Sequence, residues 1–302
     1  GSLKTRLGSA LSIGIIPVLG DIQDKVSMSN IFSTWSPQTL YHAAAYKHVP
    51  LVEDNVTAGV KNNILGTWNL ACLAVEHNLS DFVLISTDKA VRPTNVMGAT
   101  KRVAELILQA FQDSENSQCC FSMVRFGNVV ASSGSVIPKF RRQIKEGGPI
   151  TVTHPNVNRY FMTIREAAQL VIQAGALAKG GDVFVLDMGS PIKILNLARR
   201  MIRLSGLTEK TNEEPDGDIE IVITSLRPGE KLYEELLLGN IQHPTSHAKI
   251  MTADEAMIPL SELVVSLEKI AKLANDHDTE GLKEIFVCLV DGFSPQCDSL
   301  IS

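Results

Sequence analysis

The segment DFVLISTDKAVRPTNVMGATKR, Asp81–Arg102, decides the fold that the sequence predicts. It begins with a short apolar run, continues through a polar turn and ends in a helical pattern that carries Lys101. Short apolar runs alternate with longer helical patterns along much of the chain. This alternation is typical of parallel sheets that are covered by helices on both faces. We therefore predict an α/β fold with a doubly wound parallel sheet.

The boundaries of the predicted elements follow from the same patterns. We expect strands at Ile13–Asp21, Thr39–Ala45, Asp81–Ser86 and Cys120–Gly127. We expect helices between them, near Asp24–Ser33, Glu53–Glu76 and Ala99–Gln112. From about Gly134 the pattern loosens. The clearer elements there are Val136–Glu146, Ile164–Ala178, Ile194–Ser205, the run KLYEELL (Lys231–Leu237) and two amphipathic helices within Leu260–Val290.

Composition excludes several classes of protein. A chain of 302 residues, 44 % of them hydrophobic, can bury a large core as one domain or as a domain with a lobe. The net charge of −5 and the lack of a basic run argue against nucleic acid as a partner. The longest apolar runs are too short to cross a bilayer, so we expect no membrane contact. The five cysteines lack metal-binding spacing, which predicts reduced thiols, a cytoplasmic protein and no metal site.

A nucleotide-binding sheet normally opens with a strand, a glycine-rich turn and a helix, whose backbone N–H groups hold a pyrophosphate. The sequence contains no G-x-x-G-x-x-G motif. Its first residues, LKTRLGSA, look like the end of a helix that runs into the predicted strand at Ile13. We therefore expect that the sheet lacks its first βαβ unit in these residues.

Six strings occur in one order along the chain, and together they identify a family. They are HAAAYKHVPLVEDN (42–55), NNILGT (62–67), STDKAVRPTNVMGATKR (86–102), VRFGNVVASSGSVIPKF (124–140), RYFMTIREAAQL (159–170) and LRPGEKLYEEL (226–236). The chain resembles the extended short-chain dehydrogenase/reductases. Within them it is most similar to the UDP-N-acetylglucosamine 4,6-dehydratases of bacterial polysaccharide and protein-glycan synthesis.

The resemblance implies a domain organisation. Residues 1–133 are expected to form an N-terminally incomplete, Rossmann-like NAD-binding domain. Residues 134–302 are expected to form mainly a smaller nucleotide-sugar-binding lobe, with some segments returning to the sheet. Met97 stands four residues before Lys101, where these enzymes usually carry a catalytic tyrosine. This substitution resembles the long, membrane-tethered branch, in which a region upstream of these residues would tether the whole protein to the inner membrane.

The cofactor implied by the resemblance is NAD, with NADP less favoured. Asp21 and Ile22 would lie at the adenosine after the first predicted strand, although Asp21 alone also fits an ordinary helix cap. Ala43, Ala44 and Ala45 would leave room for the cofactor at the end of a strand. Lys101 would hold the nicotinamide ribose.

The implied catalytic residues are Thr87, Asp88 and Lys89, together with Lys101 and the unusual Met97. A thioether transfers no proton, so the proton from the carbon 4 hydroxyl would leave through Thr87 or a water to Lys101 or Asp88. We expect Lys89 to be the base at carbon 5 and Asp88 the acid at carbon 6. A base lysine must be neutral, so its pKa would have to be lowered. Taken alone, such a pair is most often a solvated turn, and its place beside the helix of Lys101 and the family resemblance favour the catalytic role.

The nucleotide-sugar itself is the expected partner, and the family leaves a homo-oligomer open. Arg159 and Arg227 are the expected phosphate cations, because a guanidinium matches phosphate oxygens in a bidentate fork. The helix that begins near Ser135 offers free N–H groups to a diphosphate. The complete set of substrate residues is Lys47, His48, Asn128, Ser135, Val136, Arg159, Arg227 and Glu230.

Two further functions stay open on the sequence. One is a UDP-sugar 4-epimerase or a dehydratase that inverts carbon 5. The other is a nucleotide-sugar-binding module without turnover, which would fit the lack of a glycine-rich turn and the presence of Met97.

Overall fold

A six-stranded sheet with helices on both faces forms the framework of the fold. The computed structural model describes residues 14–114, 118–130, 132, 134–227, 229–235 and 242–294. The strands are β1 Thr39–His42, β2 Asp81–Ile85, β3 Cys120–Arg125, β4 Asn128–Val129, β5 Ile150–Val152, β6 Asn158–Arg159, β7 Phe161–Met162, β8 Val183–Leu186, β9 Ile192–Lys193, β10 Glu209–Lys210, β11 Ile219–Ile223, β12 Gln242–Pro244 and β13 Ile250–Ala253. The helices are α1 Lys25–Trp35, α2 Val49–Asp54, α3 Val56–Val60, α4 Gly66–Glu76, α5 Val96–Asp113, α6 Val136–Lys145, α7 Ile164–Leu177, α8 Ile194–Leu204, α9 Leu260–Asn275 and α10 Thr279–Leu289.

The order of the main sheet is β1-β2-β3-β8-β13-β12. The first four strands are parallel, while β13 runs antiparallel to β8 and β12 runs antiparallel to β13. Phe82 of β2 pairs with Phe121 of β3, and the centroids of their rings lie 5.5 Å apart. The predicted α/β class with a doubly wound, parallel-dominated sheet is confirmed.

Alternation along the strands divides the core between the two faces of the sheet. Phe82 and Leu84 of β2 face the cluster that contains α5, whereas Val83 packs with α7 on the other face. Residues Val96–Phe111 of α5 are all buried, because the sheet covers one side of the helix and α9 and α10 cover the other. The two predicted C-terminal amphipathic helices are therefore present and complete this core.

A smaller lobe is built around a three-stranded parallel sheet in the order β10-β11-β5. Phe140 and Ile144 of α6 and Ile202 of α8 pack against Ile150 of β5. Strands β8, β12 and β13 and helices α9 and α10 pack with the main sheet, although they follow residue 134. The division of the chain at residue 133 remains a prediction.

The strand expected at Ile13–Asp21 is absent from the described residues. Ile13 lies outside them, and residues 14–20 form no strand and are mostly exposed. A strand requires a hydrogen-bonded neighbour. The edge strand β1 pairs only with β2 in the described part of the chain, so no described strand lies beside residues 14–20.

Two further predicted elements differ in the structure. The helix expected over Glu53–Glu76 is divided into α2, α3, a π-helical turn at Lys61–Leu65 and α4. Within KLYEELL, residues 231–235 form no helix, and Leu236 and Leu237 lie outside the described residues. This segment runs beside β6 instead, where the carbonyl of Leu232 accepts a hydrogen bond from the backbone N–H of Asn158 (3.2 Å).

A buried ion network joins α5 to the sheet. Arg125, at the end of β3, donates to Glu105 of α5 through Nε (2.8 Å) and Nη2 (2.6 Å), and both side chains are fully buried. Arg125 also bonds to Glu255, and Glu105 also pairs with Arg102. Burial by itself would raise the pKa of Glu105, but Arg125 and Arg102 lower it to about 2. The Glu105 carboxylate is therefore charged, and its ion pairs join helix α5 to the sheet.

We expect Glu105→Gln to lower the free energy of unfolding by about 3–5 kcal/mol, because Arg125 would lose its charged partner in the core. The stabilisation should be fully present above the unfolded-state pKa of about 4.3 and disappear as the pH falls towards about 2. Chemical denaturation at a series of pH values measures both effects. Glu268→Gln, at an exposed position on α9, is the control. Equal free energies of unfolding for the two variants would contradict a stabilising role of the charged Glu105.

Candidate active site

A cleft of about 480 Å³ lies at the carboxyl ends of the parallel strands, bordered on its other side by the smaller lobe. Ligands of open α/β sheets bind at this edge. Residues that follow β1, β2 and β3 form one wall, and the first turn of α6 and the segment 227–234 contribute the other. The cleft therefore brings together parts of the chain that are far apart in sequence.

Most of the residues predicted from the sequence line this cleft, and four do not. The lining set is Ala43, Ala45, Lys47, His48, Thr87, Lys89, Met97, Lys101, Asn128, Ser135, Val136, Arg159, Arg227 and Glu230. Asp88 is buried and does not line the cleft. Ala44, Asp21 and Ile22 do not line the cleft either.

The turn after β2 forms the floor of the cleft. The Oγ1 atom of Thr87 donates a hydrogen bond to Oδ1 of Asp88 (2.9 Å), and the Nζ atom of Lys89 donates to the same oxygen (2.9 Å). Asp88 is 1 % exposed, and its Oδ2 atom has no hydrogen-bond partner within the described structure. A solvated turn would expose this carboxylate. The alternative of a solvated Asp–Lys pair is therefore wrong.

Gly98 allows α5 to approach this turn. A Cβ atom at residue 98 would lie 2.2 Å from the carbonyl oxygen of Lys89, which is backbone and cannot move aside. Asn95 caps the helix through its Oδ1 atom, which accepts from the N–H of Gly98 (2.8 Å). The close approach places Met97 and Lys101, one helical turn apart, at the cleft.

Glu234 is a residue of the site that the sequence did not single out. Its Oε1 atom lies 3.3 Å from Nζ of Lys89 and 3.5 Å from Nε of Arg159. Its side chain is only 3 % exposed, and its Oε2 atom is buried without a hydrogen-bond partner in the described part of the chain. Glu234 lies within the predicted element KLYEELL, and no spacing in the sequence relates it to Lys89 or Arg159.

Glu234 changes the expected charge of Lys89. Burial would lower the pKa of Lys89, but the carboxylates of Asp88 and Glu234 outweigh burial and raise it. The requirement for a lowered pKa at this lysine is therefore not met. Lys89 is an ammonium group that lies between two carboxylates.

Lys101 has the opposite environment. Its Nζ atom donates to the carbonyl of Ile85 at the end of β2 (2.6 Å). Burial lowers its pKa to about 8, and Glu105 offsets only part of that effect. Between Lys89 and Lys101, Lys101 is the one that reaches its neutral form near physiological pH.

Met97 is 2 % exposed and packs into the core beneath the cleft. Its backbone carbonyl accepts from Thr100 Oγ1 (2.7 Å). The side chain occupies the place beside Lys101 without adding a group that can transfer a proton.

The guanidinium of Arg159 is engaged by neighbouring groups. Its Nη1 atom donates to the carbonyl of Asn158 (2.6 Å) and its Nη2 atom to that of Lys231 (2.8 Å). Nη2 also reaches Glu230 (3.4 Å), and Nε faces Glu234. Arg159 therefore holds the segment 230–234 in place, and its expected role as a phosphate cation stays a prediction.

The strand expected to end at Asp21 is not found in the described residues. Residues 14–20, the described residues before Asp21, form no strand, and the Asp21 Oδ1 atom accepts from the N–H of Gln23 (2.9 Å) in a local turn. Ile22 packs against α4, where a Cβ atom at Gly66 would lie 2.6 Å from Ile22 Cδ1. The strand that would aim Asp21 at a cofactor is not among the described residues.

Lys47 and His48 lie where the loop after β1 enters α2, and both line the cleft. Burial lowers the pKa of Lys47, and the charge of Lys89 lowers it further. His48 approaches the loop after β4 closely, since a Cβ atom at Gly134 would overlap its ring. No group of His, Cys, Asp and Glu side chains suited to a metal ion occurs in the described residues.

The comparison with protein families gives one clear result. The profile of a family described as "Polysaccharide biosynthesis protein" matches residues 3–255. The chain belongs to this family. The capsular polysaccharide biosynthesis protein CapD of Staphylococcus aureus is 52 % identical over 273 residues, which are 87 % of this chain and 44 % of CapD. The chain thus spans less than half the length of that relative.

More distant relatives have named activities. The UDP-N-acetylglucosamine 4,6-dehydratase (inverting) of Campylobacter jejuni 81-176 is 30 % identical over 93 % of this chain and 77 % of its own length. A UDP-glucose 4-epimerase of Rickettsia rickettsii is 33 % identical over 72 % of this chain and 61 % of its own. Among solved structures, Pen from Bacillus thuringiensis is 34 % identical, with a TM-score of 0.71, over 80 % of this chain and 73 % of Pen. The resemblance to the extended short-chain dehydrogenase/reductases is confirmed.

None of the helices within the described residues combines the length and the apolar character needed to span a bilayer.

We expect Lys101 to titrate with a midpoint near pH 8, because burial disfavours its ammonium form. Lysine side chains can be reductively dimethylated with ¹³C-formaldehyde and followed by NMR from pH 6 to 11. The Lys101 signal is assigned by its absence from Lys101→Arg. The exposed Lys269 is the reference and should titrate near its usual value of about 10.4. Titration of both residues together above pH 10 would contradict a desolvated Lys101.

Proposed function

We propose that the protein dehydrates UDP-N-acetylglucosamine across carbons 5 and 6, with NAD as cofactor, to give a UDP-4-keto-6-deoxy sugar. The observation that carries this proposal is the position of two differently charged lysines, Lys89 and Lys101, beside the carboxylates Asp88 and Glu234 in one cleft. A dehydratase needs separate proton acceptors and donors at carbons 4, 5 and 6. An epimerase that acts only at carbon 4 needs no acid at carbon 6.

The described residues fit the nicotinamide end of a dinucleotide. Ala43 and Ala45 line the cleft with methyl groups only, and Lys101 uses one of its three N–H donors on Ile85. These residues would hold the nicotinamide ribose. The cofactor, when bound, accepts a hydride from carbon 4 and returns it to carbon 6. The glycine-rich turn that would hold its pyrophosphate does not occur in this sequence.

Lys101 is the proposed acceptor of the proton from the carbon 4 hydroxyl. Its pKa of about 8 leaves a useful neutral fraction at neutral pH, as general base catalysis requires. Thr87, whose hydroxyl lines the same floor, is placed to relay the proton. This assignment explains how the site can dispense with the tyrosine that Met97 replaces.

The roles at carbons 5 and 6 differ from those expected from the sequence. Lys89 is charged, so we assign it as the donor to the carbon 6 oxygen, which leaves as water. Glu234 lines the cleft with a buried oxygen that has no hydrogen-bond partner in the described residues, and it is assigned as the acceptor of the carbon 5 proton. Glu234 gives a proton back to carbon 5 when the hydride returns to carbon 6, while Lys89 regains its proton from solvent, which also takes up the proton left on Lys101. The 3.3 Å contact between Glu234 and Lys89 pairs the carboxylate with the ammonium group before the reaction. Asp88, which does not line the cleft, holds Lys89 in place.

The proposal predicts a specific result for Lys89→Met in the natural full-length protein. Dehydration should fall by about 100- to 10,000-fold, because the leaving oxygen loses its proton donor. Exchange of the carbon 5 proton with solvent deuterium should persist, since the acceptor is still present. NMR and mass spectrometry of the UDP-sugar in deuterium oxide measure both.

Met97→Ala should lower the rate of dehydration less than Lys89→Met does, because Met97 transfers no proton. Loss of exchange in Lys89→Met would restore Lys89 as the base, and release of a 4-epimer without a 6-deoxy product would support an epimerase instead.

Glu234→Gln should abolish carbon 5 exchange and lower turnover by about 100- to 10,000-fold, while UDP still binds. The control is Glu235→Gln. Glu235 is the next residue, but its side chain is 45 % exposed and pairs with Arg92 (3.7 Å) and Lys231 (3.6 Å). That variant should keep turnover within a few-fold of the wild type. Similar turnover in both variants would remove Glu234 from the chemistry.

A further inference from the structure

The segment 229–234, which carries Glu234, is held from two sides. On the side of the smaller lobe, Nη2 of Arg159 donates to the carbonyl of Lys231 (2.8 Å). On the side of the main sheet, the segment contacts the loop 91–95, which connects the turn after β2 to helix α5. The position of Glu234 therefore depends on this loop as well as on Arg159.

Two side chains of the loop converge on one backbone oxygen of the segment. Oγ1 of Thr94 and Nδ2 of Asn95 each donate a hydrogen bond of 3.0 Å to the carbonyl of Gly229. Nζ of Lys231 donates in the opposite direction, to the carbonyl of Val91 in the loop (2.9 Å). We call the two hydrogen bonds from Thr94 and Asn95 the Gly229 contact.

The geometry at residue 229 requires glycine. Its φ of +72° lies in the left-handed region that side chains rarely adopt. A Cβ atom there would also lie 2.7 Å from Cβ of Asn95. The segment and the loop are therefore packed as closely as their atoms allow.

Asn95 uses both atoms of its amide, each on a different element. Its Oδ1 atom caps helix α5 by accepting from the N–H of Gly98 (2.8 Å), while its Nδ2 atom holds Gly229. Asn95 is 5 % exposed and lines the cleft. One buried side chain thus joins the helix that carries Lys101 to the segment that carries Glu234.

We propose that Thr94 and Asn95 are positioning residues that hold the segment 229–234 in the geometry needed for the reaction. The Gly229 contact keeps Glu234 beside Lys89 and fixes its distance from helix α5. This inference rests on the proposed function for the role of Glu234 in the chemistry. Neither Thr94 nor Asn95 transfers a proton.

The test uses the natural full-length protein with Thr94→Val and Asn95→Ser combined, called the double variant. Valine has the shape of threonine without its hydroxyl. Serine still caps a helix, but its hydroxyl lies one bond short of the position of the amide nitrogen. The matched control is Thr34→Val, which removes a hydroxyl bond to the carbonyl of Asn30 (2.7 Å) on α1 and does not line the cleft.

The charge of Lys89 reports the position of Glu234 without any turnover. Burial and Arg159 lower the pKa of Lys89, but Asp88 and Glu234 outweigh them and raise it. The Lys89 midpoint should therefore fall in the double variant, towards its value in Glu234→Gln. NMR of ¹³C-dimethylated lysines measures it, with the signal assigned by its absence from Lys89→Arg. Thr34→Val should keep the wild-type midpoint.

The second measurement is turnover of the UDP-sugar. The double variant should lose about 10- to 100-fold in kcat, because a displacement of about 1 Å in a reacting group can cost 100-fold. Exchange of the carbon 5 proton should fall with it. Thr94→Ser, which keeps the hydroxyl, should retain both the wild-type kcat and the wild-type Lys89 midpoint. Thr94→Val alone keeps the Asn95 cap and should shift both in the same direction by less.

An unchanged Lys89 midpoint in the double variant and in Thr94→Val would overturn the inference, because Glu234 would then be held without the Gly229 contact. Equal changes in Thr94→Ser and Thr94→Val would overturn it as well, since the hydroxyl would be irrelevant. A lowered midpoint with unchanged turnover would support the positioning of Glu234 and contradict its proposed role in dehydration.

Discussion

Glu105 connects the three parts of the chain that build the floor of the cleft. Its carboxylate accepts from Ser86 at the end of β2 (2.6 Å) and from Arg125 at the end of β3, and its own helix α5 carries Lys101. A buried carboxylate is costly unless charged groups surround it, and two arginines meet that condition here. Because the ion pair fixes α5 against two strand ends, it also fixes the distance between Lys101 and the turn at Thr87–Lys89.

The same network extends to the C-terminal part of the chain. Glu255, which follows β13, pairs with Arg125, and the carbonyl of Ala256 accepts from Arg102 (2.6 Å). Helices α9 and α10 then cover the outer side of α5. The C-terminal segment therefore supports the wall of the cleft that α5 helps to form, although residues 255–294 do not line the cleft themselves.

Beside the cleft, positive and negative charges alternate along Asp88, Lys89, Glu234 and Arg159, the last three of which line it. Each group is held by an opposite charge, so Lys89 stays protonated and Arg159 stays engaged. This alternation separates the two lysines chemically: Lys89 is stabilised as a cation, whereas Lys101 is desolvated and more easily neutral. Two lysines of one cleft thus differ in charge because their surroundings differ.

The sequence alone determined the fold class, the strand–turn–helix unit at Asp81–Arg102 and the membership of a family of polysaccharide biosynthesis proteins. These depend on local apolar patterns and on short strings, both of which can be read along the chain. It did not determine whether residues 14–20 form a strand, because a strand exists only beside a neighbour. It also could not reveal the pairing of Glu234 with Lys89. Charge state and donor occupancy depend on which residues from distant segments are buried together, and only the tertiary structure decided that Lys89 is charged and that Arg159 is engaged.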